Sequence, residues 1–371
     1  METEIKKASG NINKTIKTMG EIFNNLEDEY LKLKILSSLS RFRKGYDKSD
    51  VNMVLSFSGG KDSTVVLYLA LLAEELGFIP KNNIDYVFAD TKVEYDATYE
   101  FVKYIDKEVV QITYLTPRIS FVGTLGKYGK PALSKVKSNC LSTWINNKDN
   151  NNRESLYRSK QILYSNFTHK KRNGEIKNIN SHSKIANKHI HFLHDNLEYK
   201  ISSKCCDIVK KEPFANYYIK HNTNVYFTGI RMEEGGVRSL TYTSCTSVKH
   251  IKNKVMYHIM PIYDWTTSDM ESFIKLFNIP LSKCYTEYGL NRTGCIGCPY
   301  AKNIDENLKV LWKFEPKKYK FVMSLFQDVY IDQGVILDFD KFYMNKYKTR
   351  RLIINKRNKE MMEKYRKKEA D

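Results

Sequence analysis

Val54-Leu55-Ser56-Phe57-Ser58-Gly59-Gly60-Lys61-Asp62-Ser63-Thr64-Val65-Val66-Leu67 carries the strongest local signal in the chain. An apolar, β-favouring run from Val51 to Phe57 gives way to small residues and two glycines. Thr64 to Glu75 then reads as an apolar helix, so the loop joins a strand to a helix N-terminus. Such a junction presents unpaired backbone N–H groups and about half a positive charge from the helix dipole. The missing side chains of Gly59 and Gly60 let phosphate oxygens approach the backbone. Lys61 adds a mobile cation, and Ser56, Ser58 and Ser63 add hydroxyl donors. A plain glycine turn capped by Asp62 or Ser63 is the simpler alternative. The G-x-x-x-x-G-K-S/T spacing of a Walker A loop is missing.

The full string S-x-S-G-G-K-D-S between strand and helix resembles the PP-loop of the adenine-nucleotide alpha-hydrolase superfamily, which includes ATP pyrophosphatases and the sulfonucleotide reductases. The resemblance implies an α/β fold with a doubly wound, mainly parallel sheet and helical N- and C-terminal additions. On this reading residues 1–48 form a helical leader and 49–300 the nucleotide-binding domain. That domain carries a basic insertion at about 120–200 and cysteine loops at 203–213 and 292–299. Residues 301–371 form a helical, basic C-terminal region.

Composition narrows the classes. The 371 residues are 42% apolar, ample for a buried core, and no apolar run reaches the length of a membrane span. The start, Met-Glu-Thr-Glu-Ile-Lys-Lys, has no signal-peptide apolar region, so a cytoplasmic protein with no membrane partner is expected. Seven cysteines in that context favour metal binding or reactive thiols over a disulfide framework. The 61 Lys and Arg against 42 Asp and Glu give a net charge of +19, which favours phosphate-rich partners; a Lys-, Asn- and Ile-rich composition bias is the alternative source.

Beyond the loop, Ile84-Asp85-Tyr86-Val87-Phe88-Ala89-Asp90-Thr91 is a second short apolar run, and Gln111 to Leu115 a third. Ligands of doubly wound sheets sit at the carboxyl ends of strands, which makes Asp90 and Thr91 nucleotide-contact candidates. Glu94 to Val102 resembles the segment that follows the second strand in sulfonucleotide reductases, and reads equally as an ordinary helix start. Between 140 and 200 there are 11 Lys and Arg against 5 Asp and Glu, with Trp144, Tyr157, Tyr164 and Phe167 interleaved. This segment suits nucleic-acid contact or a solvated insertion. His182, His189, His191 and His194 lack a convincingly spaced acid or cysteine for zinc.

Ser203-Lys204-Cys205-Cys206 is answered much later by Arg292-Thr293-Gly294-Cys295-Ile296-Gly297-Cys298-Pro299. A C-x-x-C turn puts two sulfurs on one side of a tight loop, and an adjacent cysteine pair suits a multi-iron cluster better than one tetrahedral ion. The pattern K-C-C-x-x-x-K-x-x-P with a distal G-C-x-x-C-P resembles the cluster-bearing sulfonucleotide reductases. It implies a 4Fe-4S cluster on Cys205, Cys206, Cys295 and Cys298, with zinc or inert buried thiols as alternatives and Cys284 or Cys140 as substitute ligands. Cys245 reads as structural.

Between the cysteine pairs, Thr228, Gly229, Ile230, Arg231, Glu234 and Arg238 match the family pattern T-G-I-R-x-x-E-x-x-x-R. Arginine forks suit phosphate or sulfate, so Gly229, Arg231 and Arg238 are carried over as nucleotide or substrate contacts. Met260 to Met270 resembles the family's P-I-x-D-W-T-x-x-D-V segment, with Thr267 or Ser268 as helix cap and Trp265 as packing.

Sulfonucleotide reductases attack sulfur with a cysteine in a C-terminal E-C-G-I/L-H-type motif, and this chain has no cysteine after Cys298. The resemblance therefore leads to an ATP pyrophosphatase-type enzyme that adenylates an acceptor for sulfur transfer. Its ligands would be ATP with Mg²⁺, or else a sulfonucleotide. Lys61, Asp62 and Arg231 would be its catalytic residues, DNA or tRNA the acceptor, and a partner protein a source of sulfur. A sulfonucleotide reductase-like oxidoreductase and a non-catalytic nucleotide-binding subunit are the other classes.

Overall fold

The computed structural model describes residues 14–146, 153–170, 175–181, 184–193, 197–235, 242–251 and 253–370. The strands in these residues are β1 (Met53–Phe57), β2 (Ile84–Ala89), β3 (Ile112–Leu115), β4 (Asn166–Lys170), β5 (Ile176–Asn180), β6 (Val225–Phe227), β7 (Thr246–Ile251) and β8 (Lys254–Ile259). Six of them form one sheet in the order β3-β2-β1-β6-β8-β7, parallel throughout except for the antiparallel edge strand β7. β4 and β5 pair as a separate antiparallel hairpin.

The chain divides into two compact units. Residues up to Arg118 together with Lys210–Gly294 make the first, and Ile119–Val209 with the residues from Cys295 onward make the second.

The first unit holds the six-stranded sheet. Alternate residues of β1 enter opposite cores, as strand geometry requires. Leu55 and Phe57 pack with the loop helix (Lys61–Glu75), while Val54 packs with Tyr218 and Tyr226. The loop helix is apolar all round and is buried from Ser63 to Ala73, as expected for a helix surrounded by protein. The helix Glu29–Tyr46 is capped by Asp28, which accepts from Leu31 N at 3.0 Å, and buries Ile35, Leu39 and Phe42. The Phe42 ring centroid lies 4.7 Å from that of Phe227 in β6. Asp264 pairs with Arg41 and Lys34 of that helix, and Trp265 Nε1 donates to Ser38 Oγ, so both residues serve packing. The helix Thr267–Leu276 is capped by Thr266, one residue earlier than the spacing predicts; a capping box with Asp269 fixes the start there.

β1 has β2 on one side and β6 on the other. The winding direction reverses between β1 and β6, and the carboxyl ends of strands at such a switch point are where doubly wound sheets bind ligands. The sequence places the glycine loop after one of these strands and Thr228 to Arg231 after the other.

The second unit gathers the helices Phe121–Tyr128, Lys135–Asn146 and Arg153–Leu163, the β4–β5 hairpin, and the helices Ile304–Phe314, Pro316–Gln333 and Lys341–Ala370. Leu308, Leu311, Phe326, Tyr330, Tyr343 and Phe192 are buried in it. Arg350 makes a two-pronged pair with the buried Asp332 and reaches Glu198. His191 Nδ1 lies 3.0 Å from Asn358 Oδ1, and His189 Nε2 lies 3.0 Å from the Gln333 carbonyl. His182 and His194 lie outside the described residues.

Candidate functional site

The loop after β1 is shaped by close approach. Gly59 adopts φ +68°, and a Cβ there would lie 2.9 Å from Thr98 Cγ2, so glycine is required twice over. Gly229, just beyond β6, brings its backbone against the loop helix, where a Cβ would lie 2.8 Å from Asp62 C and 2.9 Å from Ser63 N. Ser63 Oγ donates to Gly60 O at 2.9 Å and lies 3.0 Å from Ser58 Oγ, while Ser58 N donates back to Ser63 Oγ at 3.2 Å. These bonds lock the turn without drawing on Lys61 or Asp62. Gly60 is the N-cap and has no side chain to bond the helix terminus. Ser56 faces away from this network and hydrogen-bonds the Tyr218 hydroxyl.

Arg231 is buried and its Nε donates to Asp62 Oδ1 at 2.7 Å. Its Nη1 donates to Glu233 Oε2 at 2.6 Å. Burial alone would lower the guanidinium pKa; the neighbouring Asp62 and Glu233 carboxylates outweigh burial and raise it. Glu234 Oε1 accepts from Arg231 N at 3.3 Å, and its Oε2 pairs with Arg292 at 3.0 Å. The two loops at the switch point are thereby tied by backbone approach and by an ion pair. Arg238 lies outside the described residues.

Asp90 and Thr91 follow β2 directly and are both buried. Asp90 pairs with Lys92 and accepts from Tyr99 OH at 3.1 Å. Thr91 Oγ1 donates to the buried Glu94 at 3.1 Å, and Lys210 Nζ lies 2.8 Å from the same carboxylate. Each of these acids is held by a cation and a hydroxyl, an arrangement that positions carboxylates.

In the second unit, Cys205 and Cys206 open a helical turn that runs on as a π-helix, Asp207–Lys211. π-turns recur at functional sites. Cys295 and Cys298 occupy a loop strapped to the helix Pro316–Gln333. Gly297, at φ +58°, fits against Val322, its carbonyl accepts from Tyr330 OH, and the Pro299 carbonyl accepts from Gln333 Nε2 at 3.1 Å. The Cys205 thiol is pushed well up by a hydrogen bond with Cys206, by burial, and by the charges of Cys206, Cys298 and Cys295. Cys206, Cys295 and Cys298 are thus near enough to Cys205 for their charges to act on it. The Cys140 thiol lies 3.5 Å from Gln161 Oε1; Cys284 belongs to the first unit, 3.5 Å from Thr98 Oγ1. No disulfide joins any of the seven.

Among the described residues no group of three or more His, Cys, Asp or Glu is arranged to hold a metal ion. The chemistry of the cysteine set nevertheless fits a cluster. Four thiols that act on one another cannot all ionise unless cationic iron neutralises them, and several irons can each take a sulfur from the adjacent pair.

The model of the phosphoadenosine phosphosulfate reductase domain matches residues 52–142 and 159–301, more than half of the chain. The chain belongs to this family. The match takes in the glycine loop, Asp90, Arg231 and both cysteine pairs. This reductase-domain protein is 32% identical over 102 residues to an uncharacterized protein of Methanocaldococcus jannaschii, covering 27% of this chain and 24% of that one. A second uncharacterized protein of that organism is 24% identical over 314 residues, 81% of this chain and 49% of its own length. The chain therefore spans about half or less of the curated relatives it matches. Among solved structures it is similar to a phosphoadenylyl-sulfate reductase of Candida auris in a phosphate complex, with 14% identity, 73% of this chain and 96% of that chain covered, and a TM-score of 0.39. It is also similar to an FMN adenylyltransferase of Candida glabrata with FMN and an ATP analog, with 13% identity, 77% and 71% covered, and a TM-score of 0.45. A tRNA thiolase of Methanococcus maripaludis, solved with its 4Fe-4S cluster, shows 14% identity, 82% and 80% covered, and a TM-score of 0.36.

Sequence reasoning missed Tyr285 and Thr293 at the loop, Glu94 beside Thr91, and Tyr300 beside the cysteines. Tyr300 OH donates to Ser202 O at 3.3 Å; burial and the nearby Cys205, Cys298 and Cys206 raise its pKa. The short Tyr285 segment has no periodic signal of its own. Tyr300 could have been noticed as the second residue after Cys298. No helix among the described residues is long and apolar enough to cross a membrane.

Proposed function

We propose that this member of the family is a PP-loop ATP pyrophosphatase-type enzyme that adenylates an acceptor for sulfur transfer to nucleic acid. The observation that carries the reading is the cradle at the β1–β6 switch point. The loop leads into a helix N-terminus whose cap, Gly60, carries no side chain, and Gly229 and Arg231 fix the second loop against the start of the loop helix.

In the reaction an acceptor oxygen attacks the α-phosphorus of ATP, the bond to the β-phosphate oxygen breaks, and pyrophosphate leaves. Lys61 and the loop N–H groups hold the charge that develops on the leaving pyrophosphate. Arg231, kept protonated, adds its positive charge beside the same site while Asp62 and Glu233 orient it. Asp62 and Asp90 are the carboxylates that would hold Mg²⁺, which would offset the charge on the phosphates. A sulfur nucleophile then displaces AMP from the adenylated acceptor.

Cys205, Cys206, Cys295 and Cys298 are the residues that would hold a 4Fe-4S cluster. When bound, it supplies a redox-active, sulfur-rich centre to the second unit. The net charge of +19 supports a nucleic-acid acceptor, DNA or tRNA, and a separate protein is the proposed donor of sulfur. Product analysis of anaerobically purified protein tests the reading: pyrophosphate from ATP supports it. AMP or adenosine 3′,5′-bisphosphate with sulfite, formed from a sulfonucleotide, would replace it with reduction.

A further inference from the structure

Two hydroxyls stand over the glycine loop that neither the motif nor the proposed chemistry accounts for. Lys61 N donates to Tyr285 OH at 3.0 Å, and Tyr285 OH lies 2.9 Å from Thr293 Oγ1. A Cβ on Gly60 would lie 3.3 Å from each of these oxygens and 3.2 Å from Ser58 Oγ, so three hydroxyls converge on the bare face of Gly60.

Proton accounting makes the pair more than packing. Tyr285 and Thr293 carry two hydroxyl protons. One is spent between them, whichever donates, and the Lys61 N–H already occupies a lone pair of the tyrosine. The second hydroxyl proton has no acceptor among the described residues and stays available to a ligand. A phosphate oxygen at Gly60 would accept it.

The pair is held from both sides within the first unit. Ser282, which caps the short helix Lys283–Thr286, donates to Ala97 O at 3.0 Å, and Thr98 touches both Gly59 and Cys284. On the other side Arg292, next to Thr293, pairs with Glu234, which accepts from Arg231 N. Donors fixed in this way need no rearrangement when an anion arrives.

We propose that Tyr285 and Thr293 complete the phosphate cradle, giving their unspent hydroxyl proton to an oxygen of the polyphosphate held over Gly60. The proposal rests on the reading of the loop as an ATP site. It assigns the pair to recognition of the pyrophosphate portion and not of the nucleoside. In either single variant, Tyr285→Phe or Thr293→Val, the remaining hydroxyl still offers a donor, so the decisive variant is the double one.

Calorimetric titration of the intact protein with ATP, inorganic pyrophosphate and AMP tests this, with thermal melts confirming that each variant folds. The double variant is expected to bind ATP and pyrophosphate about tenfold or more weakly, the single variants less so, and AMP unchanged. Unchanged binding of pyrophosphate by a folded double variant would overturn the proposal. So would an equal loss for AMP, which would mean the hydroxyls only shape the site. Failure of the unmodified protein to bind ATP or pyrophosphate would overturn the ATP reading itself, and is distinguishable from both.

Discussion

Arg231 Nε and Asp62 Oδ1 lie 2.7 Å apart, joining the residue four positions beyond β6 to the first turn of the loop helix. The pair does two things. It fixes the second loop beside the phosphate cradle, and it keeps a charged fork where a lysine would present only a point charge. Arg231→Lys is therefore expected to fold with a small change in melting temperature yet lose pyrophosphate-releasing activity by about tenfold or more. Steady-state rates beside a melting curve check this, and an unchanged rate would remove Arg231 from the chemistry.

Gly229→Ala tests the backbone approach. Its Cβ would meet the Asp62 and Ser63 backbone at under 3 Å, atoms that cannot rotate away. A destabilisation of about 1–3 kcal/mol is expected by chemical denaturation, together with weaker ATP binding. Gly126→Ala is the contrast: it sits inside the helix Phe121–Tyr128 with open space around its Cβ position, and should stabilise by about 0.5–1 kcal/mol.

His258 gives a pH signature. Burial, with help from Lys249, pushes its pKa down to about 3, so it is neutral in the folded protein beside Thr228 Oγ1 at 2.7 Å. Unfolded histidine titrates near pH ~6.5. Between these values only the unfolded state takes up the proton, so the contribution is complete above about pH 6.5 and is lost as pH falls toward 3. Stability from this group should drop by about 2 kcal/mol between pH 7 and pH 5. Denaturation of His258→Gln across that range should show a shallower slope; parallel curves would contradict the assignment.

Serine at Cys205, Cys206, Cys295 or Cys298 should lower iron content and the absorbance near ~400 nm of anaerobic protein by more than about half. Cys140→Ser and Cys284→Ser should leave both intact, since the charges that act on the Cys205 thiol are those of Cys206, Cys298 and Cys295. Stoichiometric zinc in a colourless preparation would contradict the cluster.

The loop and its strand were legible because strand, turn and helix signals fall within 14 consecutive residues. Asp90 followed from the same logic, since a strand's end is visible in its own run of residues. The spacing of the cysteine pairs falls within the residues that the family's model matches, although Cys205 and Cys295 are far apart in the chain. What escaped was non-local and unpatterned. Tyr285 reaches Lys61 across 224 residues, and nothing in the surrounding Ser282-Lys283-Cys284-Tyr285 distinguishes a cradle donor from a surface tyrosine. The pairing of residues 119–209 with the C-terminal helices in one unit was hidden for the same reason: contacts such as Phe121 with Phe326, ring centroids 6.1 Å apart, leave no periodicity in either segment.

Release of pyrophosphate from ATP, measured with the intact protein and with Lys61→Ala, bears most directly on the central claim. The account predicts ATP-dependent pyrophosphate from the unmodified chain, reduced by about a hundredfold or more in the variant, whose fold is preserved. No pyrophosphate from ATP, or equal release by Lys61→Ala, would contradict it.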